Sequence, residues 1–271
     1  MMLREKLRKI IRSFPFLRWL SDTRMVIHDY YKIHINKQQK IKEYEQEWQA
    51  FVTLAADLKD NRFDLDKRHR QAQLYDKTAD MGFDAHYLYH LAWALRIVKQ
   101  INPPQHIDIS SYIFFPALLS AFIPTKFYDY RPANVVLDNL IAEAADLTAL
   151  PFQDNSIHSL SCMHVVEHIG LGRYGDSINP VGDKTAMKEL VRVLAPEGNL
   201  LFVTPVGQAR VMFNAHRVYS YEQIIEGFAG LQLVQYGLIP DDAKDGIIYQ
   251  ASAELTKQQA YGCGCFWFKK V

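Results

Sequence analysis

Cysteine is scarce in this chain: there are three, Cys162, Cys263 and Cys265, in 271 residues. So small and odd a count excludes a disulfide framework and fits a reducing compartment. The Cys263-Gly264-Cys265 pair lacks the second pair that a structural zinc site would need, so it reads as part of a strand and no metal is expected. Net charge is nearly absent too: 31 basic against 30 acidic residues leave +1, which argues against nucleic acid as the main partner. No apolar run is long enough to span a bilayer. The N-terminus shows no signal-peptide block, because its apolar residues are interleaved with charge. Internal repeats and low-complexity tracts are missing as well. Together these absences lead us to expect a cytoplasmic globular protein with no nucleic-acid partner.

What the chain does have is apolar residues, 49% of the total, enough for a sizeable core. Residues 1–20 place Leu3, Leu7, Ile10, Ile11 and Phe14 on one helical face, with Arg4, Lys6, Arg8, Lys9 and Arg12 around the rest. That pattern describes a basic amphipathic helix, suited to the anionic inner face of a membrane or to packing on the protein's own body. Ile41, Tyr44, Trp48, Phe51, Ala55 and Leu58 recur at helical spacing over 37–60, and a charged linker from Asp60 to Arg70 follows. Asp84 caps a further helix whose Tyr87, Leu88, Leu91, Leu95 and Val98 share a face, and Asn102-Pro103-Pro104 ends it. Beyond it the pattern alternates. Strands are expected at 105–109, 126–129, 140–144, 157–163, 200–204, 232–236 and 263–268, and helices at 114–122, 183–194 and 221–228. Such alternation predicts an α/β fold, a doubly wound, mostly parallel seven-stranded sheet covered on both faces. The last two strands have no clear helix between them and predict an antiparallel edge. On this reading the chain divides into a basic helix (1–20), a helical extension or cap (21–104) whose Tyr75, His86 and Tyr89 cover the cleft, and the α/β domain (105–271).

Ligands of such sheets sit at the carboxyl ends of the strands, near the point where strand order reverses. Polar side chains gather at four expected strand ends: Asp108 to Ser111, Asp129 to Arg131, Asp146 with Leu147, and His164 to His168. A carboxylate after the second strand can accept from both ribose hydroxyls of an adenosine cofactor, and Asp146 can accept from the adenine amino group. Singly, each aspartate reads equally well as a turn or cap residue; together, at successive strand ends, they mark a site. Gly170-Leu171-Gly172-Arg173-Tyr174-Gly175 spells G-x-G-x-x-G, but Asn179-Pro180 follows where a dinucleotide fingerprint would open a helix. It is expected to be a flexible loop that brings Arg173 and Tyr174 over a substrate. His164, Glu167 and His168 match the H-x-x-E-H of inverted zinc proteases, yet a strand rather than a long helix precedes them and no third ligand is evident. Asn214, His216, Arg217 and Tyr219 cluster after the fifth strand, either lining a pocket or bonding internally. Glu167, His168 and His216 are the general-base candidates, since a neutral imidazole or a carboxylate accepts a hydroxyl proton near pH 7.

Asp146, Leu150-Pro151-Phe152, Asp154, Ser156, Glu167-His168, Glu189, Arg192-Val193-Leu194, Pro196 and Gly198 follow the generic pattern of small-molecule methyltransferases. Residues 105–268 thereby resemble the class I S-adenosylmethionine-dependent methyltransferase fold. More narrowly, Phe83 to Trp93, His106 to Ser111, Ser159 to Asp176 and Phe213 to Tyr219 look like the uncharacterised family called domain of unknown function 268. The resemblance implies S-adenosylmethionine as cofactor. It puts Asp129 and Asp146 on the adenosine, Asp108, Ser110 and His164 at the methionine end, and Ser111, Arg131 and Leu147 beside them. Arg173, Tyr174, Asn214, Arg217 and Tyr219 would face the acceptor. One motif departs from the class, which has Asp/Glu-x-Gly-x-Gly where this chain has Asp108-Ile109-Ser110-Ser111-Tyr112. Glycine there lets the backbone approach the cofactor, so Tyr112 must swing aside for the cofactor to enter.

The expected activity is methyl transfer to a hydroxyl of a small-molecule or carbohydrate acceptor. Arg173 and Arg217 suit an anionic one, and the basic helix suits surface-glycan assembly at a membrane. Two alternatives stand beside it. One is a catalytically inactive, partner-binding scaffold in which Tyr112 fills the cofactor pocket. The other is a nucleotide-sugar-using transferase with Asp176 or Asp183 on a divalent metal, although no Asp-x-Asp lies at a strand end.

Overall fold

The computed structural model describes residues 15–271, with side chains from Ile35 onward. The basic face expected over residues 1–20 lies outside the described side chains. Packing divides the chain between Gly82 and Phe83.

The first unit is built on one long helix, α1 (Pro15–Asp57). Its stripe of Tyr44 and Trp48 is half-buried because Arg70 folds back on it, the guanidinium 4.8 Å from the Tyr44 ring and 5.3 Å from that of Trp48. Phe51 and Leu58, expected on the same stripe, are exposed. Tyr75, expected over a cleft, belongs to this unit, where Lys40 Nζ lies 5.4 Å from its ring.

The second unit, Phe83–Val271, begins with α2 (Ala85–Ile101), so that helix is part of the α/β body and not of a cap ending at residue 104. Asp84 caps it, accepting from Tyr87 N at 3.2 Å, and Asn102 closes it in a left-handed conformation ahead of Pro103. Its buried face is His90, Trp93, Ala94, Ile97 and Val98, whereas Leu88 is 50% exposed. Of the expected stripe, Val98 lies on this face and Leu91 and Leu95 pack at its margin; the stripe was rotated because a buried histidine and a tryptophan occupy the centre of the true face.

The sheet then forms from β1 (His106–Ile109), β2 (Thr125–Asp129), β3 (Leu140–Ala144), β4 (Ile157–Met163), β5 (Leu194–Val206), β8 (Leu231–Ile239), β9 (Ile248–Tyr249) and β10 (Gly262–Lys270). Between them run α3 (Phe114–Leu119), α4 (Gly182–Val193), a small ribbon of β6 (Arg210–Met212) and β7 (His216–Val218), α5 (Tyr221–Gly227) and α6 (Ala253–Lys257). The order is β3-β2-β1-β4-β5-β10-β8-β9. The first five are mutually parallel, and β10 inserts antiparallel between β5 and β8. All seven expected strands are present; the two-residue β9, antiparallel on β8, adds an eighth at the edge.

Period-two alternation sends neighbouring residues of each strand into two separate cores. Leu160 and Cys162 of β4, Leu200 and Phe202 of β5, and Phe266 and Phe268 of β10 share one core with Met187 and Leu190 of α4. Met163, Leu201, Val203, Cys263 and Cys265 face the other, which Trp93 and Ile97 of α2 and Phe115 of α3 complete. Among the described residues no helix is long and apolar enough to cross a membrane.

The methyltransferase-like pattern around residues 150–192 proves to be a structural clamp. Arg192 donates to the carbonyls of Leu150 (3.0 Å) and Phe152 (2.8 Å) and pairs with Asp154 and Glu189, while Glu189 accepts from Leu150 N. These bonds pin α4 to the turn entering β4.

Candidate functional site

Strand order reverses between β1 and β4, and both strands end in sharp left-handed turns, at Ser110 (φ 55°) and His164 (φ 58°). The turns leave a cavity of about 650 Å³ over the carboxyl ends of β1, β2 and β4, within the size range of small-molecule sites. Ser110, Ser111, Asp129, Arg131, His164, Glu167, His168, Arg173, Tyr174 and His216 line it. A smaller cavity of about 230 Å³ shares Ser110, Tyr130 and Tyr174 with it and adds Asp146 and Leu147. Tyr112 stands on the wall of the larger cavity, 46% exposed, its ring packed edge-on to Tyr87 at 5.1 Å. It has swung aside, and the cavity stays open. Ser110 holds the left-handed conformation that glycine takes in the family pattern, its hydroxyl donating to Tyr128 O at 3.2 Å.

Beneath the cavity runs a buried polar strip. His106 Nδ1 bonds Ser159 Oγ at 2.7 Å and its Nε2 bonds Ser161 Oγ at 2.8 Å, and Ser161 Oγ donates to Asp108. Asp108 also accepts from Ser111 N at 3.1 Å. Asp108 therefore supports the turn from below and does not line the methionine end as expected. Full burial pushes its carboxyl up to about 7, against the hydrogen bonds from Ser161 and Ser111.

The H-x-x-E-H residues form a compact acid–base group. Glu167, whose side chain is 1% exposed, accepts from His164 Nδ1 at 2.9 Å and from Thr204 Oγ1 at 3.4 Å. His168 Nδ1 donates to Ala215 O at 2.7 Å; a carbonyl only accepts, so the lone pair of this imidazole is on Nε2, 4.0 Å from Glu167 Oε1. Burial lowers the pKa of both His168 and His216, ahead of the opposing pull of Glu167, and keeps them neutral at pH 7. Arg131 and Arg173 both pack on the Tyr174 ring, at 4.4 and 5.0 Å, and Arg173 is tied to Ala215 O at 2.9 Å.

Other expected site residues are structural. Arg217 is buried beside Asp183, Nε to Oδ2 at 3.5 Å, and donates to Ile169 O at 2.7 Å. Tyr219 is buried and donates to the same carboxylate at 2.9 Å. Both hold the 169–183 loop to β7, and neither lines the cavity. Asn214 is exposed at the ribbon turn, away from the cavity lining. Leu147 serves mainly as core. We predict that Asp183→Ala, which strands the buried Arg217 charge, costs about 3–5 kcal/mol. Urea melts would read this, and an unchanged midpoint would refute the clamp.

The glycine loop holds a carboxylate where a fingerprint holds a phosphate. Gly170, Gly172 and Tyr174 donate their N–H groups to Asp176, the first at 2.7 Å. With Asp176 and Asp183 so engaged, neither is placed as the metal holder of a nucleotide-sugar enzyme.

The sequence reading passed over Tyr87, Tyr130 and Tyr261, which also line the cavity, whereas His86 does so as expected. Tyr87 stands in the place given to Tyr89, two residues away along the helix, and only the true orientation of α2 reveals it.

The profile of the family described as Caenorhabditis protein of unknown function, DUF268, matches residues 152–251. No curated protein matches the chain. Among solved structures, it is similar to the N-methyltransferase NodS from Bradyrhizobium japonicum WM9, at 14% identity and a TM-score of 0.49, over 70% of this chain and 99% of that one. A Burkholderia thailandensis 1,6-didemethyltoxoflavin-N1-methyltransferase with bound S-adenosylhomocysteine is 12% identical, with a TM-score of 0.48 over 84% of this chain and 89% of that one. The YcgJ protein of Bacillus subtilis is 14% identical, with a TM-score of 0.48 over 68% of this chain and 98% of that one. The mostly parallel sheet with its antiparallel edge makes the fold doubly wound and Rossmann-like.

Proposed function

We propose that this chain, which matches that family over residues 152–251, is an S-adenosylmethionine-dependent methyltransferase acting on a hydroxyl of a small anionic acceptor, a carbohydrate by preference. One observation carries the reading: the open cavity at the strand-order reversal has a carboxylate at the end of β2, Asp129, and a neutral imidazole, His168, on its wall. When bound, S-adenosylmethionine would supply a methyl group activated on sulfonium sulfur. The chain's own work is then alignment and proton removal. Asp129 takes the ribose hydroxyls, and Asp146 and Leu147 in the adjoining cavity receive the adenine. Ser110, Ser111 and His164 border the methionine end. With the cofactor and acceptor bound, His168 Nε2 would accept the hydroxyl proton, worth about 10²–10⁴-fold. Glu167, with Oε1 4.0 Å from that nitrogen, would stabilise the imidazolium. His216 is the alternative base, and Arg131 and Arg173 with Tyr174 offer an anionic group two guanidinium partners. The basic run over 1–20 in the sequence supports surface-glycan assembly at a membrane face as the setting.

Calorimetric titration of the full chain with S-adenosylmethionine and S-adenosylhomocysteine tests the reading. Micromolar binding of both is expected. A folded sample that binds neither at millimolar concentration would leave the inactive scaffold, with Tyr112 in a glycine's place, as the function.

A further inference from the structure

Three side chains beside the cavity, two on its wall and one buried behind them, converge. His86 opens α2, His164 follows β4 and Cys263 lies near the start of β10, and one ligand atom of each falls within 4.8 Å of the other two. We propose that His86, His164 and Cys263 form a binding site for a divalent transition metal of borderline softness, zinc above all, with a coordination position open to the cavity.

The donor set of two imidazoles and one thiolate is one that zinc takes and that magnesium or calcium do not. His164 is already oriented for the task. Its Nδ1–H is donated to Glu167, which puts the lone pair on Nε2, and Nε2 lies 3.4 Å from Cys263 Sγ. A carboxylate behind an imidazole is the usual outer support of a histidine ligand. Tetrahedral zinc, with bonds of about 2.3 Å to sulfur and 2.0–2.1 Å to nitrogen, sets those two donors roughly 3.5 Å apart.

His90 supplies an independent sign. One helical turn beyond His86, it is fully buried, with its ring 5.1 Å from that of His164. Its Nδ1 donates to His86 O at 2.6 Å, so Nε2 carries a lone pair, and that atom has no partner among the described residues. A buried imidazole nitrogen without a proton donor is costly; beside an N₂S cluster it marks a place for a cation or the water bound to one. His86 and His164 line the cavity while Cys263 lies buried behind them, so the unfilled position faces the cavity. On binding, the metal–sulfur bond replaces the Cys263 S–H bond and the proton leaves to solvent. A metal there would polarise an acceptor hydroxyl or thiol.

The test uses the full chain, stripped with chelator and titrated with Co²⁺ alone and then Zn²⁺, with no cofactor present, so its outcome is independent of the methyltransferase reading. One equivalent of Co²⁺ is expected to give the visible absorption of a tetrahedral centre and a thiolate-to-cobalt charge-transfer band, both removed by one equivalent of Zn²⁺. Cys263→Ser should abolish the charge-transfer band and weaken Zn²⁺ binding at least tenfold. Cys265→Ser, two residues along the strand, should leave both unchanged. His86→Gln alters a half-buried wall position, and should weaken Zn²⁺ by a similar factor even if Cys263→Ser does not fold. A folded chain that gives no stoichiometric band, a band that survives Cys263→Ser, or unaltered Zn²⁺ affinity in His86→Gln would each overturn the site.

Discussion

Taking the metal-free protein from pH 7 to pH 4 is expected to unfold it cooperatively. Burial pushes His86 and His164 down to about 4, and His90 and His106 down to about 3. Repulsion from His164 adds to the effect at His86 and His90. Each histidine titrates near its ordinary value of about 6.5 once unfolded, so between about 6.5 and 3–4 the unfolded chain binds more protons than the native one. Stability conferred by these residues is therefore complete above pH 6.5 and is lost as pH falls toward the native values. At about 1.4 kcal/mol per pKa unit, His90 and His106 are each worth on the order of 4 kcal/mol over that window. Asp108 works in the opposite sense: raised to about 7 by burial, it favours the folded state at low pH and loses that contribution as pH rises through 7. It offsets roughly one histidine, and Glu167, which burial also raises, offsets a further part; the remaining histidine deficit is still a large fraction of the stability of an ordinary domain, about 5–15 kcal/mol. Urea midpoints followed by circular dichroism at pH 7, 6, 5 and 4 would measure it. A midpoint that stays level down to pH 4 would show that these imidazoles are hydrated in solution.

The same polar interior explains which parts of the fold were legible beforehand. β5 and β10 were visible as strands because their central residues are apolar on both faces, as buried central strands must be. The carboxylate after β2 was visible because a strand end in a parallel sheet is a place, not only a residue type. By contrast the face of α2 was misread, since hydrophobic spacing gives no weight to a buried His90. Arg217 looked like an acceptor contact because a charge in a polar loop after a strand looks the same whether it meets a ligand or Asp183. His86, His164 and Cys263 lie on three distant segments with no spacing to join them, and only the packing of α2 over the ends of β4 and β10 brings them together.

Replacing Asp129 by alanine is expected to weaken S-adenosylhomocysteine about a hundredfold or more while leaving the melting temperature nearly unchanged. The side chain ends β2 at the cavity wall, and Oδ1 accepts from Arg131 N at 2.7 Å, which fixes the carboxylate where it faces the ligand space. Two ribose hydroxyls donating to a carboxylate would make two charge-assisted bonds, each worth about 1.5–3 kcal/mol, and the alanine variant loses both. Asp129→Asn keeps a single acceptor oxygen and should fall between, at about tenfold. Asp146→Ala should matter less, because that carboxylate already accepts from Thr148 N at 2.8 Å and Thr148 Oγ1 at 2.7 Å and offers adenine only its remaining capacity. The ordering of the three variants is the informative result. Equal losses at Asp129 and Asp146 would mean the adenosine lies differently across the two cavities. Full affinity in Asp129→Ala would remove the carboxylate after β2 from the site altogether.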